Sequence, residues 1–185
     1  MKELSLNILD IAENSVKAGA QLTEITLTET DEILTISIKD DGCGMTPEIL
    51  NTVTNPFYTT RTTRKVGLGI PLFKMSAEQT GGNLQINSKR ADENDASHGT
   101  LLVATYYKNH LDFTPLGDVI STLITLIQGH PDVDFLFIHS IEDDEVKLDT
   151  RELRVILEGV PLDTYEVIKW IEGYLEEQYL EIKNK

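Results

Sequence analysis

One amphipathic helix constrains this chain more than any other stretch. At about 100° per residue, Leu4 to Ala18 puts Leu4, Ile8, Ile11, Ala12 and Val16 on one side. Asp10, Asn14 and Lys17 fall within a narrow stripe on the other. The apolar side must enter a core. The polar stripe sets an acid, an amide and a cation in a row, a set suited to a metal-bound phosphate ligand. Gly19 then stops the helix.

The stretches that follow read as discrete elements. Thr23–Thr28 and Ile33–Lys39 alternate apolar and polar residues around Thr30-Asp31-Glu32, the pattern of a hairpin. Asp40–Met45 is a glycine-rich turn. Thr46 before Pro47 is an N-cap and first-position proline, opening a short helix to about Val53. Thr54–Val66 is polar and basic without a period, and reads as a mobile loop. A second amphipathic helix runs from Gly69 or Ile70 to Thr80, and strands follow at Asn83–Ser88 and Gly99–Tyr107. Past a boundary at 109–114 come a helix (Leu116–Gln128), strands at Phe135–His139 and Val146–Leu148, and helices at Arg151–Leu157 and Thr164–Leu180. The last helix carries Tyr165, Ile168, Ile171, Leu175 and Tyr179 on one side. This predicts residues 1–109 as one domain and 110–185 as a small α/β domain.

Charge narrows the partners. The chain of 185 residues has a net charge of −15, which argues against a nucleic-acid surface or an anionic membrane. Residues 111–185 hold 17 Asp and Glu against 6 Lys and Arg, a net of −11. That half is read as a solvated acidic surface or a docking face for a basic protein partner. With one cysteine, Cys43, no internal disulfide forms. No signal pattern and no long apolar run is present, so a soluble, cytoplasmic chain is expected. Cys43 is expected to be a small buried hydrophobe. His98, His110, His130 and His139 have no metal-ligand spacing.

Four separated motifs carry the chemistry. They are Asp10-Ile-Ala-Glu-Asn14-Ser-Val-Lys17, Asp40-Asp-Gly42-Cys-Gly44-Met, Asn55-Pro-Phe57-Tyr-Thr-Thr-Arg61, and Gly67-Leu68-Gly69-Ile. Gly81-Gly82 and Gly99-Thr100 follow. In order and spacing the set resembles the N box, first glycine box, F box and second glycine box of the GHKL ATPase superfamily. That group includes gyrase, Hsp90-type chaperones, histidine kinases and MutL-type mismatch-repair ATPases. The resemblance spans about residues 4–107. It implies an α+β fold, a two-layer α/β sandwich of the histidine-kinase-like ATPase type, here with a small C-terminal α/β appendage.

The resemblance also implies roles. Asn14 would ligate Mg²⁺, Lys17 would meet phosphate, and Asp40 would accept the adenine amino group. Gly42 and Gly44 would let the backbone approach the base, and Thr100 would stand near the adenine. Phe57 would anchor the lid, while Arg61, Arg64 and Lys65 would reach the outer phosphates. Gly67, Leu68 and Gly69 would present a helix N-terminus to phosphate. A basic residue at the place of Lys17 is a feature of the histidine-kinase branch. Each residue also has a plainer reading: Asn14 and Lys17 as helix surface, Asp40 as a turn former, Thr100 as a strand former.

Two positions depart from the family pattern. Hydrolysing members usually carry Glu at the place of Asp10, the candidate general base, and Asp is one methylene shorter than proton transfer at hydrogen-bond range wants. Lys65 stands at the first glycine of the second glycine box. Only three residues precede the first helix, so a complete sensor kinase with an upstream phospho-accepting histidine is not expected. The expectation is an Mg-ATP-binding regulatory protein. It would act as a protein kinase in trans, as anti-sigma serine kinases of this superfamily do, as a nucleotide-gated interaction module, or as a slow ATPase using Asp10.

Overall fold

The computed structural model describes residues 3–55, 68–91 and 97–184. Along the chain stand α1 (Leu4–Lys17), β1 (Leu22–Glu29), β2 (Ile33–Asp40), α2 (Pro47–Thr52), α3 (Gly69–Gln79), β3 (Asn83–Lys89) and β4 (Gly99–Tyr107). After them come α4 (Val119–Gly129), β5 (Asp134–Ile141), β6 (Asp144–Asp149), α5 (Thr150–Leu157) and α6 (Tyr165–Lys183). The six strands form one sheet in the order β3-β4-β2-β1-β5-β6. All neighbours are antiparallel except β1 and β5, which run parallel. The link from β4 through α4 to β5 therefore crosses over β2 and β1.

Strand alternation decides which face is covered. Ile25 and Leu27 of β1 lie in register with Ile38 and Ile36 of β2 and with Phe137 and His139 of β5. Leu102 and Ala104 of β4 continue the same row. These side chains share one buried face with the apolar side of α1 and with Phe73, Leu123, Ile127, Ile171 and Leu175 from α3, α4 and α6. Each buried side chain of this size contributes about 1.5–3 kcal/mol. The opposite face of the hairpin carries Glu24, Thr26, Thr28, Thr35, Ser37 and Lys39. The result is the two-layer α/β sandwich.

The C-terminal segment shares the sheet and the core of the N-terminal one. β5 pairs with β1 along the whole strand, and one hydrophobic cluster runs from Leu4 to Leu175. The division expected at residue 109 does not appear as a break in the sheet. The segment 115–118 even completes α1. Glu3 offers that helix no side-chain cap, and the N–H groups of Leu4 and Ser5 donate instead to the carbonyls of Pro115 and Leu116, at 3.0 and 2.8 Å. α4 begins at Val119 and not at Leu116. Gly117 takes a positive φ of 78°, and the carboxylate of Asp118 then accepts from the Ser121 N–H at 2.9 Å as N-cap.

The two ends of α6 correct the last expected helix. It starts at Tyr165, which is exposed, and its inner stripe is Val167, Ile168, Ile171 and Leu175. Tyr179 is half-buried because its hydroxyl meets His139 Nδ1 at 2.8 Å. On its other side His139 Nε2 lies 3.2 Å from Glu29, and Lys108 Nζ holds the second oxygen of Glu29 at 2.7 Å. Ionised Glu29 only accepts, so Nε2 donates to it; in the neutral ring Nδ1 accepts from Tyr179. The His139 hydrogen bond, helped by Lys108, pulls the Glu29 carboxyl down to about 2 against the opposing pull of burial. Burial in turn pushes the Tyr179 hydroxyl up. This network ties α6, β5, β1 and the end of β4 together.

Candidate functional site

The polar side of α1 and the ends of β2 and β4 converge at the other end of the sheet. Asp40 closes β2 and is only 7% exposed. One carboxylate oxygen, Oδ1, accepts from the Gly42 N–H at 3.0 Å and the Thr100 N–H at 3.2 Å. The other, Oδ2, accepts from the Ser15 hydroxyl at 2.8 Å. A carboxylate offers about four lone-pair sites, so one acceptor position remains, on Oδ2. The carboxylate is thus fixed in direction by three uncharged donors from α1, the glycine turn and β4.

The glycine turn is built to lie flat against its surroundings. A Cβ at Gly42 would stand 2.9 Å from the Ala18 Cβ and 3.0 Å from Asp40 Oδ1, displacing the carboxylate. Gly44 has a φ of 65°, and a Cβ there would meet the Lys89 carbonyl oxygen at 1.9 Å. Between them Cys43 is held by its backbone: its N–H donates to the Ala18 carbonyl and its carbonyl accepts from Ala91. Its side chain is exposed, which corrects the expectation of a buried thiol. The backbone contacts consume both polar groups of the residue while sending the side chain outward. Asp41 serves the scaffold, accepting from the N–H groups of Gln21 and Leu22 at 2.7 and 3.0 Å. His98 donates through Nδ1 to the Gly42 carbonyl at 2.7 Å.

Thr100 belongs to the same cluster. Its hydroxyl lies 2.9 Å from Ser88 Oγ, which also accepts from the Met45 N–H at 2.8 Å. Thr23 stands opposite Asp40 in register, fully buried, and its hydroxyl has no hydrogen-bond partner among the described residues.

The phosphate side of the site is marked by the start of α3. A Cβ placed on Gly69, its first residue, would lie 3.4 Å from Asn14 Nδ2 and 3.7 Å from Asp10 Cβ. Asn14 and Asp10 therefore flank a helix N-terminus, with its unpaired N–H groups and positive dipole end. Asn14 is half-buried and Asp10 exposed. Leu68 is the residue before that helix and is exposed. Lys17 lies one turn beyond Asn14, with its Nζ 3.1 Å from Glu13. The second oxygen of Glu13 is 2.7 Å from His130 Nε2, at the end of α4. Burial opposes the shift, but the hydrogen bonds from His130 and Lys17 leave the Glu13 carboxyl below its ordinary value.

Of the residues singled out in the sequence, Asp10, Asn14, Lys17, Asp40, Gly42, Gly44, Leu68, Gly69 and Thr100 fall around this end of the sheet. Phe57, Arg61, Arg64, Lys65 and Gly67 lie outside the described residues. Sequence reasoning missed Ser15, Ser88 and Glu13. Ser15 had a signal, since it is a polar residue four positions after Ile11 on the buried side of α1. Ser88 had none, because only the register of β3 against β4 sets it beside Thr100. Among the described residues no group of three or more His, Cys, Asp or Glu side chains could hold a metal ion. No helix among them is long and apolar enough to cross a membrane.

Comparison with known proteins gives this geometry a context. The sensor protein SrrB of Staphylococcus aureus is 35% identical over a 94-residue match that covers 48% of this chain and 16% of SrrB. The match thus spans about a sixth of that relative's length. The Aquifex aeolicus MutL ATPase domain complexed with ADP superposes with a TM-score of 0.55 at 16% identity, covering 85% of this chain and 70% of that one. The N-terminal domain of a DNA repair protein gives 0.56 at 17% identity over 80% of this chain and 53% of the other. At such identities the likeness is one of fold. It extends over more of the chain than the family match, and so takes in part of the C-terminal segment. The model of the histidine kinase-, DNA gyrase B- and HSP90-like ATPases matches residues 2–108, and the chain belongs to that family.

Proposed function

We propose that this protein is an Mg-ATP-binding regulatory module whose nucleotide state is passed to a protein partner through residues 110–185. The observation that carries the reading is Asp40, a buried carboxylate aimed by three uncharged donors and left with one acceptor position. That position suits the 6-amino group of adenine, where guanine carries a carbonyl oxygen instead. That the MutL neighbour is described as complexed with ADP supports an adenine nucleotide as ligand.

The residues present also fit the metal. Asn14 stands at the mouth of the α3 N-terminus, where its amide oxygen would be a ligand for Mg²⁺. The described residues supply no carboxylate cluster, so the remaining ligands would be phosphate oxygens and water. When bound, the metal would screen the phosphate charge. Lys17 would swing from Glu13 to phosphate, with Arg61 and Lys65 reaching the outer phosphates. The α3 N–H groups around Gly69 would orient the chain of phosphates. Asp10 flanks Gly69, and as base its reach is short by one methylene. Slow hydrolysis is the expected consequence.

A protein kinase acting in trans is the second reading. Lys17 favours it, since it places a cation where the kinase branch has one, and so does the likeness to a sensor protein. Incubation with γ-labelled Mg-ATP separates the two. Saturable binding with little free phosphate and no transfer supports the gated module, and label on a protein in added extract supports the kinase. Absence of any binding at millimolar ATP would sink both.

A further inference from the structure

The outward side of α6 carries features that neither the core nor the nucleotide site uses. The chain has one tryptophan, Trp170, and it is 53% exposed. It stacks on Tyr174, one turn on, with ring centroids 4.9 Å apart and planes 10° from parallel. At 100° per residue Glu166, Glu177 and Glu181 share the arc of these two rings, and all three are exposed. Glu172 is turned aside to Lys169, whereas Glu166, Glu177 and Glu181 form no ion pair with any described residue. The inner side of the helix is already committed to the core, and Gln178 is committed to the edge of the sheet. Its amide accepts from the Lys147 N–H at 2.9 Å and donates to the Lys147 carbonyl at 3.2 Å, closing β6 to strand pairing.

We infer that the Trp170–Tyr174 face of α6 is the docking surface for an arginine-bearing segment of a partner protein. A flat aromatic pair bordered by carboxylates matches the guanidinium group, which stacks on rings and pairs bidentately with carboxylates. Lysine, a compact and strongly hydrated charge, fits the carboxylates but gains less from the rings. A second copy of this chain is the wrong occupant, because α6 against α6 would set glutamates against glutamates. The inference deepens the reading of residues 110–185 as the partner-facing part and rests on it, but it does not depend on nucleotide binding.

The test uses a blocked alanine-based helical peptide with arginines at i,i+4 spacing, and the same peptide with lysine or with uncharged citrulline. Trp170 emission reports contact directly, and calorimetry gives the affinity. The arginine peptide should shift Trp170 emission and bind more tightly than the lysine peptide, with citrulline weaker still. Trp170→Leu, and separately the combined Glu166→Gln, Glu177→Gln and Glu181→Gln changes, should weaken it about tenfold or more, as expected for one or two lost cation–π or charged contacts. Removing equal charge elsewhere, with Asp31→Asn, Glu32→Gln and Glu78→Gln, should change it little. Equal weakening by this control would reduce the effect to net charge and overturn the inference, as would unaltered emission or citrulline binding as well as arginine. ATP affinity measured on the same proteins keeps the two proposals apart: its loss in the unaltered chain removes the nucleotide reading, while peptide results alone decide this one.

Discussion

Each end of the sheet holds a carboxylate in a hydrogen-bond network, and the two are built differently. Asp40 and Glu29 lie near opposite ends of the β1–β2 hairpin, about 20 Å apart at 3.4 Å per residue. Glu29 is held by a lysine and a histidine, with a tyrosine behind. Asp40 is held by one hydroxyl and two backbone N–H groups. The Lys108 charge offsets that of Glu29, and the histidine and tyrosine stitch the neighbouring elements to it. Uncharged partners aim Asp40 without cancelling its charge and leave it an open lone pair. One network is spent on cohesion, the other on recognition. The same residue chemistry therefore has two uses, set by the donors that surround it.

The sharpest test exchanges the two roles. Asp40→Asn keeps an oxygen for Gly42 and Thr100 but turns an NH₂ toward the open position. Calorimetric ATP affinity should fall about a hundredfold, or about 2.7 kcal/mol, while Tm moves by only a few degrees. A collapse of Tm without a specific loss of affinity would make Asp40 a stitch like Glu29 and dissolve the contrast.

Glu29→Gln should do the reverse, lowering stability by about 2 kcal/mol and Tm by about 4–8 °C in a chain of this size, with ATP affinity unchanged. Its pH dependence sharpens the point. The Glu29 carboxyl is lowered from an ordinary 4.5 to about 2, so below 4.5 the unfolded chain binds the proton more readily. The stability from this group is complete above pH 4.5 and is lost as pH falls toward 2. Urea unfolding of the parent protein should show that decline, and Glu29→Gln should flatten it. Parallel slopes for the two proteins would mean that the network is not what holds this end.

Smaller effects are expected at Lys17. Its pair with Glu13 is exposed and one helical turn long, so Lys17→Ala should change unfolding free energy by no more than about 0.5 kcal/mol. If Lys17 meets phosphate, ATP affinity in a titration at low salt should still fall several-fold, with ADP less affected. An equal, negligible change for both nucleotides would leave Lys17 a surface residue.

Much of this was legible in the sequence, at short range. The α1 stripe, the hairpin, the Thr46-Pro47 cap and the glycine stops are written in periodicity and local turn chemistry, and apart from the start of α4 and the end of α6, each three residues off, the elements appear within a residue or two of their expected bounds. The start of α4 was missed because Leu116 fits the apolar period, whereas Gly117 and Asp118 form a left-handed turn and cap ahead of the helix. Cys43 was misplaced because hydrophobicity alone sends a thiol inward, and two backbone hydrogen bonds overrule it.

Residue type and spacing by themselves determined the elements, the order of the four motifs and the acid, amide and cation on one helix. Tertiary structure decided which distant pieces meet. Thr100 is 60 residues from the Asp40 carboxylate it helps to aim, and His130 is 117 from Glu13. β5 could have formed its own sheet; parallel pairing with β1 joined both halves over one core. The physical reason is that loop closure costs little more for a long loop than for a short one. Alternating strands, moreover, pair equally well on paper with several partners. Only the simultaneous burial of one face across all six strands selects the arrangement that brings Ser15, Asp40, Gly42 and Thr100 together.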